Sequence, residues 1–189
     1  MDLKTLKKLA SQEHGGTGVG WLDGLYLIHK RPYYLFLYEL TNLTKPSFIV
    51  EIGTQTGMST AHMAAGSPDA HIIGIDPDPV WYEQEIKDSF PKVKFLSEKS
   101  QDVLIDEIED GIDILFIDGL HTYDQVKWEY ETYGEKVRPG GLIVLDDINL
   151  PDELEPGNGM REFWDEIKDP KIELNHLHPE GGFGIVIKK

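Results

Sequence analysis

From residue 46 onward the chain alternates short apolar runs with stretches of helical character. Residues 48–52, 71–76, 93–96, 112–118 and 141–146 read as five strands. Between them, residues 59–65, 80–89 and 123–136 read as helices, with a further helical segment around 101–107. The strand runs are nearly continuous in apolar residues, as expected for strands covered on both faces of a parallel sheet. Strands that alternate with helices predict a doubly wound α/β fold. The end of the chain breaks this rhythm. Residues 171–177 and 184–188 are strand-like, and the connection between them is too short for a crossover helix. They are expected to pair antiparallel.

The first 31 residues read as an attachment to this core. Leu3, Leu6 and Leu9 recur at helical spacing, interleaved with Lys4, Lys7 and Lys8. Gly15, Gly16, Gly18 and Gly20 then crowd the stretch between His14 and Trp21. That composition predicts a mobile loop that holds neither helix nor strand. Residues 32–43 read as a helix with Pro32 in its first turn. The expected division is thus an N-terminal helix with a glycine-rich, lid-like segment over 1–31, closing with Trp21, and a single core domain over 32–189.

Composition narrows the function classes. The 189 residues contain no cysteine, which excludes disulfides and thiolate metal sites. There is no apolar leader and no membrane-length apolar run, so a cytoplasmic protein without a membrane partner is expected. The formal charge of −16, from 34 acidic and 18 basic residues, disfavours nucleic acid. Such acidity serves solubility, or it gathers carboxylates around a cation.

The motif Glu51-Ile52-Gly53-Thr54-Gln55-Thr56-Gly57 is a strand running into a glycine turn and then a helix. A dinucleotide site wants Gly-x-Gly-x-x-Gly, so that pyrophosphate can sit on the helix N-terminus. Here the spacing is Gly-x-x-x-Gly, which suits an amino acid and a ribose without phosphate. Glu51, Gly53, Thr54, Gln55, Gly57 and Ser59 are the candidate ligand contacts. Asp76, at the end of the second strand, can accept both ribose hydroxyls; alternatively it is a turn aspartate beside Pro77. With Arg138-Pro139-Gly140-Gly141 before the fifth strand and the closing antiparallel pair, the chain resembles the class I S-adenosylmethionine-dependent methyltransferases. The resemblance implies a Rossmann-like fold, with mostly parallel sheet and a C-terminal antiparallel strand pair. It also implies that the glycine loop holds the methionine part of S-adenosylmethionine and Asp76 its ribose. Many relatives follow the third strand with Gly-Asp-Ser, whose acid accepts from the adenine amino group. Here Glu98-Lys99-Ser100 stands in that place, and lysine cannot accept. The adenine contact is left to Ser100, Glu98 or backbone.

A second constellation is Asp118-Gly119-Leu120-His121-Thr122-Tyr123 together with Asp146-Asp147. Asp118 and Asp146 end neighbouring strands, at the sheet edge where open α/β sheets bind ligands. Three converging carboxylates repel unless a cation neutralises them, and oxygen ligands suit Mg²⁺, Ca²⁺ or Mn²⁺. The pattern resembles the metal-dependent small-molecule O-methyltransferases, closest to those that act on macrolide sugars. That resemblance implies metal binding by Asp118, Asp146 and Asp147, a cofactor contact from Asp118, and His121 as general base. The alternatives are a satisfied turn histidine and plain strand-end aspartates. His176 and His178 read as a solvated strand end. The expected function is O-methylation of a small-molecule acceptor, a sugar, polyol or phenol, with magnesium the first candidate metal. Rivals are an aminopropyltransferase-like enzyme and an inactive cofactor-binding module. Oligomeric state, homo-oligomer included, stays open.

Overall fold

The computed structural model describes residues 1–29, 31–78 and 80–189. Three helices come first: α1 (Leu3–Ala10), α2 (Gly20–His29) and α3 (Pro32–Thr44). The core follows as β1 (Phe48–Ile52), α4 (Met58–Gly66), β2 (His71–Ile75), α5 (Glu83–Ser89), β3 (Val93–Leu96), β4 (Ile112–Ile117), α6 (Tyr123–Gly134) and β5 (Val137–Asp146). The chain closes with α7 (Met160–Glu166), β6 (Lys171–Glu173) and β7 (Phe183–Ile187). The seven strands form one sheet in the order β3-β2-β1-β4-β5-β7-β6. Every pair from β3 to β5 is parallel, and β7 runs antiparallel to both β5 and β6. The expected α/β fold, with a mostly parallel sheet and a closing antiparallel pair, is the observed one.

Strand alternation explains the two core layers. On β1, Ile49 belongs to the layer with Phe36, Leu40, Met63 and Phe183, and its neighbour Val50 to the layer with Val126, Tyr133 and Trp164. Adjacent strand residues point to opposite faces, so a strand buried on both sides needs an apolar residue at nearly every position. Chain order reverses between β1 and β4, which are paired neighbours. That switch opens a crevice at the strands' carboxyl ends. Among the described residues no helix is long and apolar enough to cross a membrane.

Five local expectations are corrected. Gly20 and Trp21 open helix α2 instead of sitting in a loop. The preceding turn is held by Asp23, whose carboxylate accepts from the Thr17 and Gly18 amides and the Thr17 hydroxyl, so the glycines need not leave the segment loose. The helix expected from residue 80 begins at Glu83, because the Trp81 and Tyr82 amides donate to the Gln55 and Thr56 carbonyls. Residues 101–107 supply only a single 3₁₀ turn, Ile105–Glu107. The fifth strand, expected from residue 141, begins at Val137: the Gly140 amide donates to the Lys188 carbonyl and the Lys188 amide to that of Gly141. Finally, the strand expected over 171–177 stops at Glu173, and Asn175–Leu177 turns back as 3₁₀ helix.

Two of the buried ionisable side chains lie on β1 and α4. His62 is fully buried, donates from Nδ1 to the Met58 carbonyl 2.7 Å away, and leaves Nε2 without a partner. Burial pushes its pKa down to about 4. Glu51 is fully buried too and accepts from the Ser59 and Thr60 hydroxyls. Burial outweighs those bonds and raises it to about 7. The two act oppositely on stability. For His62 the unfolded chain binds more protons between about 4 and 6.5, so stability rises with pH across that window. For Glu51 the folded chain holds the extra proton between 4.5 and about 7, so stability falls with pH there. Each contribution is about 3 kcal/mol. Glu51→Gln removes one slope and uncovers the other. Urea denaturation at pH 7 and pH 4.5 should show a stability difference about 3 kcal/mol larger in the variant than in the wild type. Equal differences would mean that Glu51 titrates normally.

Candidate active site at the strand switch

A cleft of about 770 Å³ lies over the carboxyl ends of β1, β2, β4 and β5. Its floor depends on Gly53, at φ 86°, where an added Cβ would fall 1.9 Å from the Asp118 carbonyl oxygen. The Gly53 amide donates to Ile75 and that of Asp118 to Ile52, which ties three strand ends together. Thr54, Gln55, Ser59 and Asp76 line the cleft, as anticipated. The Asp76 carboxylate accepts from the Gln55 amide (2.7 Å) and the Asp78 amide (2.9 Å), so it shapes the loop as well as facing the cleft. Glu51 and Gly57 are not among the lining residues. Glu51 anchors α4 from below, and Gly57 caps that helix at φ 80° with Val80 and Ile86 packed where a Cβ would be.

One end of the cleft is formed by Lys99, Ser100 and Gln101 after β3 and by Gly119, Leu120, Gln125 and Glu129 after β4. Glu129 is 1% exposed, and its Oε1 accepts from the Ser100 hydroxyl and the Gln125 amide, each at 2.6 Å. Its Oε2 has no partner. Ser100 faces the cleft as expected, whereas Glu98 is not among the lining residues.

Asp118, His121, Asp146 and Asp147 meet at the other end. Consecutive strand residues normally face opposite ways. Asp147, at φ 57°, breaks that alternation, so both members of the doublet reach the cleft. Gly181 makes room, since a Cβ there would lie 1.6 Å from Asp147 Oδ1. His121 Nε2 lies 3.4 Å from Asp147 Oδ2 and 3.8 Å from Asp118 Oδ1, and it makes no hydrogen bond. Nδ1 donates to Glu155 at 2.8 Å, which fixes the ring's orientation. Asp118, His121 and Asp147 each offer one ligand atom, all within 4.8 Å of one another, and so do Asp146, Asp147 and His178. The three aspartates therefore fall into two overlapping groups that share Asp147.

His178 is a correction. It is buried, not solvated, with Nδ1 2.8 Å from Asp146 Oδ1 and Nε2 3.0 Å from Arg31 Nη1. A guanidinium only donates, so Nε2 accepts and Nδ1–H points at Asp146. Its companion His176 lies against the Ala10 carbonyl. Trp21 Nε1 donates to the Ser89 hydroxyl, and Trp81, 71% exposed, lines the cleft.

The electrostatics are those of crowded carboxylates. Burial and the neighbouring Asp146 push Asp118 well above the usual carboxylate range, and the same two causes raise Asp147. Burial opposes the charge on His121, but the nearby Asp118 carboxyl, the hydrogen bond to Glu155 and the field of Asp147 carry it up to about 9. His121 thus stands between two carboxyl groups whose charges burial and crowding oppose.

Residues 50–148, just over half of the chain, match the methyltransferase-domain family. The chain belongs to that family. The matched span carries Gly53, Asp76, Asp118, His121 and the Asp146-Asp147 doublet, so the motif and both ends of the cleft lie inside it. An uncharacterized protein, R132, of Acanthamoeba polyphaga mimivirus is 32% identical over 134 residues, covering 62% of this chain and 61% of its own length. The chain therefore spans about three-fifths of that relative. Among solved structures, the O-methyltransferase TomG from Streptomyces achromogenes, in complex with SAM, superposes with a TM-score of 0.67 at 18% identity, over 100% of this chain and 92% of that one. An O-methyltransferase from Bacillus cereus in complex with SAH gives 0.64 at 17% identity, again over 100% and 92%. These likenesses establish the class I methyltransferase fold for this methyltransferase domain.

Arg31, Glu129 and Glu155 line or support the site without a reading from sequence, and His178 supports it against the expected solvated strand end. Glu129 alone left a usable trace: it follows Gln125 by one helical turn, on the face of α6 that buries Val126 and Tyr133. The others sit in connections whose approach to the site depends on tertiary packing.

Proposed function

We propose that this methyltransferase domain uses S-adenosylmethionine and a divalent cation to methylate a hydroxyl of a small acceptor, a sugar, polyol or phenol. One observation carries the reading: an unpartnered, buried His121 Nε2 directed between two carboxylates, beside a cleft over the strand switch. The cleft suits the cofactor. Of the five buried side-chain atoms without a partner among the described residues, Thr54 Oγ1, His121 Nε2 and Glu129 Oε2 belong to its lining. Unsatisfied buried polar atoms are costly, so their concentration in one cleft favours a polar ligand there. The carboxylate oxygens of Asp118, Asp146 and Asp147, with no sulfur near, suit Mg²⁺ or Mn²⁺.

When bound, the cofactor supplies an electrophilic methyl on a sulfonium, and transfer is an in-line displacement dominated by positioning. Thr54 and the Gly53 backbone hold the amino-acid end, and Asp76 holds the ribose hydroxyls. Asp118 and Asp147, with Asp146 behind them, would hold the cation, which would supply positive charge to two acceptor oxygens and lower the pKa of the reacting hydroxyl. His121 Nε2 takes that hydroxyl's proton while Glu155 keeps the ring aimed. Asp146 and Arg31 fix His178 beside the cation site.

Calorimetry with S-adenosylhomocysteine and with NAD, together with a methyl-transfer assay over catechols and sugars, tests the reading. S-adenosylhomocysteine should bind and NAD should not. Asp76→Ala should weaken S-adenosylhomocysteine by about 1.5–3 kcal/mol, the worth of a charge-assisted hydrogen bond. Asp76→Asn, which keeps an acceptor for the Gln55 amide, separates ribose binding from loop shape. Tight NAD binding with no affinity for the homocysteine would overturn the assignment. Binding without turnover on any acceptor would favour an inactive module.

A further inference from the structure

The place where an adenine-binding acid is expected after β3 is occupied by Glu98-Lys99-Ser100, and none of these brings a carboxylate into the cleft. Glu98 is not in the lining, Lys99 only donates, and the Ser100 hydroxyl donates to Glu129 and already accepts from the Gln125 side-chain amide. The geometry points to Glu129, on α6, as the residue that reads the exocyclic amino group of the cofactor's adenine through Oε2. This inference rests on the S-adenosylmethionine reading and names the base-recognising group within it.

Four observations converge. Glu129 is 1% exposed, so its carboxylate is held away from bulk water and needs partners within the protein or from a ligand. Ser100 and Gln125 both donate to Oε1, which fixes the rotamer and leaves Oε2 as the oxygen with unused capacity. A Cβ at Gly119 would sit 3.6 Å from Oε1 and 3.8 Å from Oε2, so the glycine keeps the approach from the cleft clear of a side chain. The frame is stiff as well: the Tyr133 hydroxyl, one turn along α6, donates to the Ser100 carbonyl at 2.8 Å and locks the helix to the loop after β3.

Position agrees with chemistry. Asp76 marks the ribose at the end of β2, and the aspartate cluster occupies the β4–β5 end. The loops after β3 and β4 close the remaining part of the cleft, where a base attached to that ribose would lie. Adenine presents an N–H donor at its six-position and hypoxanthine a carbonyl oxygen. An acceptor held by two donors on its other oxygen favours the first and repels the second.

The test compares S-adenosylhomocysteine with S-inosylhomocysteine by calorimetry, for the wild type and Glu129→Gln. The wild type should bind the adenosyl compound at least tenfold more tightly. Glutamine can keep its carbonyl toward Ser100 and Gln125 and place an amide donor where Oε2 was, so the preference should collapse toward unity or invert. A retained preference in a folded Glu129→Gln protein overturns the inference and leaves the cofactor reading standing. Equal binding of the two compounds by the wild type overturns it without any variant, which covers a variant that fails to fold. If the wild type binds neither compound, the cofactor reading falls and this inference with it.

Discussion

Thorough chelation should reduce methyl transfer by at least about a hundredfold, and Mg²⁺ or Mn²⁺ should restore it. The estimate follows from the several kcal/mol that a Lewis-acidic cation contributes to a charged transition state. The same cation should be visible without turnover. Asp118 and Asp147 repel each other and Asp146, which is why burial and like charge raise the first two out of the normal carboxylate range. A cation relieves that repulsion only in the folded protein. At a hundred times its dissociation constant it adds about 2.7 kcal/mol, or about 5–10 °C in melting temperature for a domain of this size. Asp147→Asn, placed at the residue shared by both ligand groups, should abolish this shift and cut turnover while S-adenosylhomocysteine still binds. The variant should also melt slightly higher than the wild type in EDTA, because one charge leaves a crowded cluster. Full activity after chelation, or a cation shift that survives Asp147→Asn, would sink the metal mechanism while leaving the family assignment intact.

Much of the fold was legible because its signal is local. A strand covered on both faces must be apolar at almost every position, and β1, β2, β4 and β5 announced themselves that way. The crevice followed from chain order, since β4 returns beside β1 and both strands end at one edge. Gly53 was legible because the backbone there leaves no space for a side chain. The errors share a physical cause. On composition Gly20 and Trp21 read as loop, yet Asp23 supplies the hydrogen bonds that order the turn before them. Glycine's conformational freedom is a cost that a well-placed acceptor can offset. By its place at a terminal strand end His178 reads as solvated; its neighbours in space are Asp146 and Arg31. The candidate site shows the same split. Residues at strand ends, Asp76, Asp118, Asp146 and Asp147, are placed by the sheet and can be read from it. Glu129, Glu155 and Arg31 are placed by how helices and connections pack on that sheet, and short-range pattern carries little of that information.

His121→Ala should lower turnover by roughly 10²–10⁴-fold, as expected for loss of a positioned general base. The size depends on the cation. In its absence the nearby Asp118 carboxyl, the hydrogen bond to Glu155 and the charge of Asp147 lift His121 to about 9 despite burial, so near neutrality Nε2 carries a proton and cannot accept another. A cation between Asp118 and Asp147 would replace the imidazolium as their counter-charge and remove the reason for Nε2 to stay protonated. Base and metal are therefore coupled. The losses from His121→Ala and Asp147→Asn should not add: the double variant should be little worse than the poorer single one. Melting with and without Mg²⁺ distinguishes the roles open to this histidine. As a base it leaves the cation shift in place when replaced by alanine; as a ligand it takes most of that shift away. Affinity for S-adenosylhomocysteine should stay within a few-fold of wild type in either case, since Asp76, Thr54 and Glu129 are untouched. Turnover within tenfold of wild type, with the cation shift intact, would leave His121 without a catalytic role and turn attention to His178, the other imidazole among the same carboxylates.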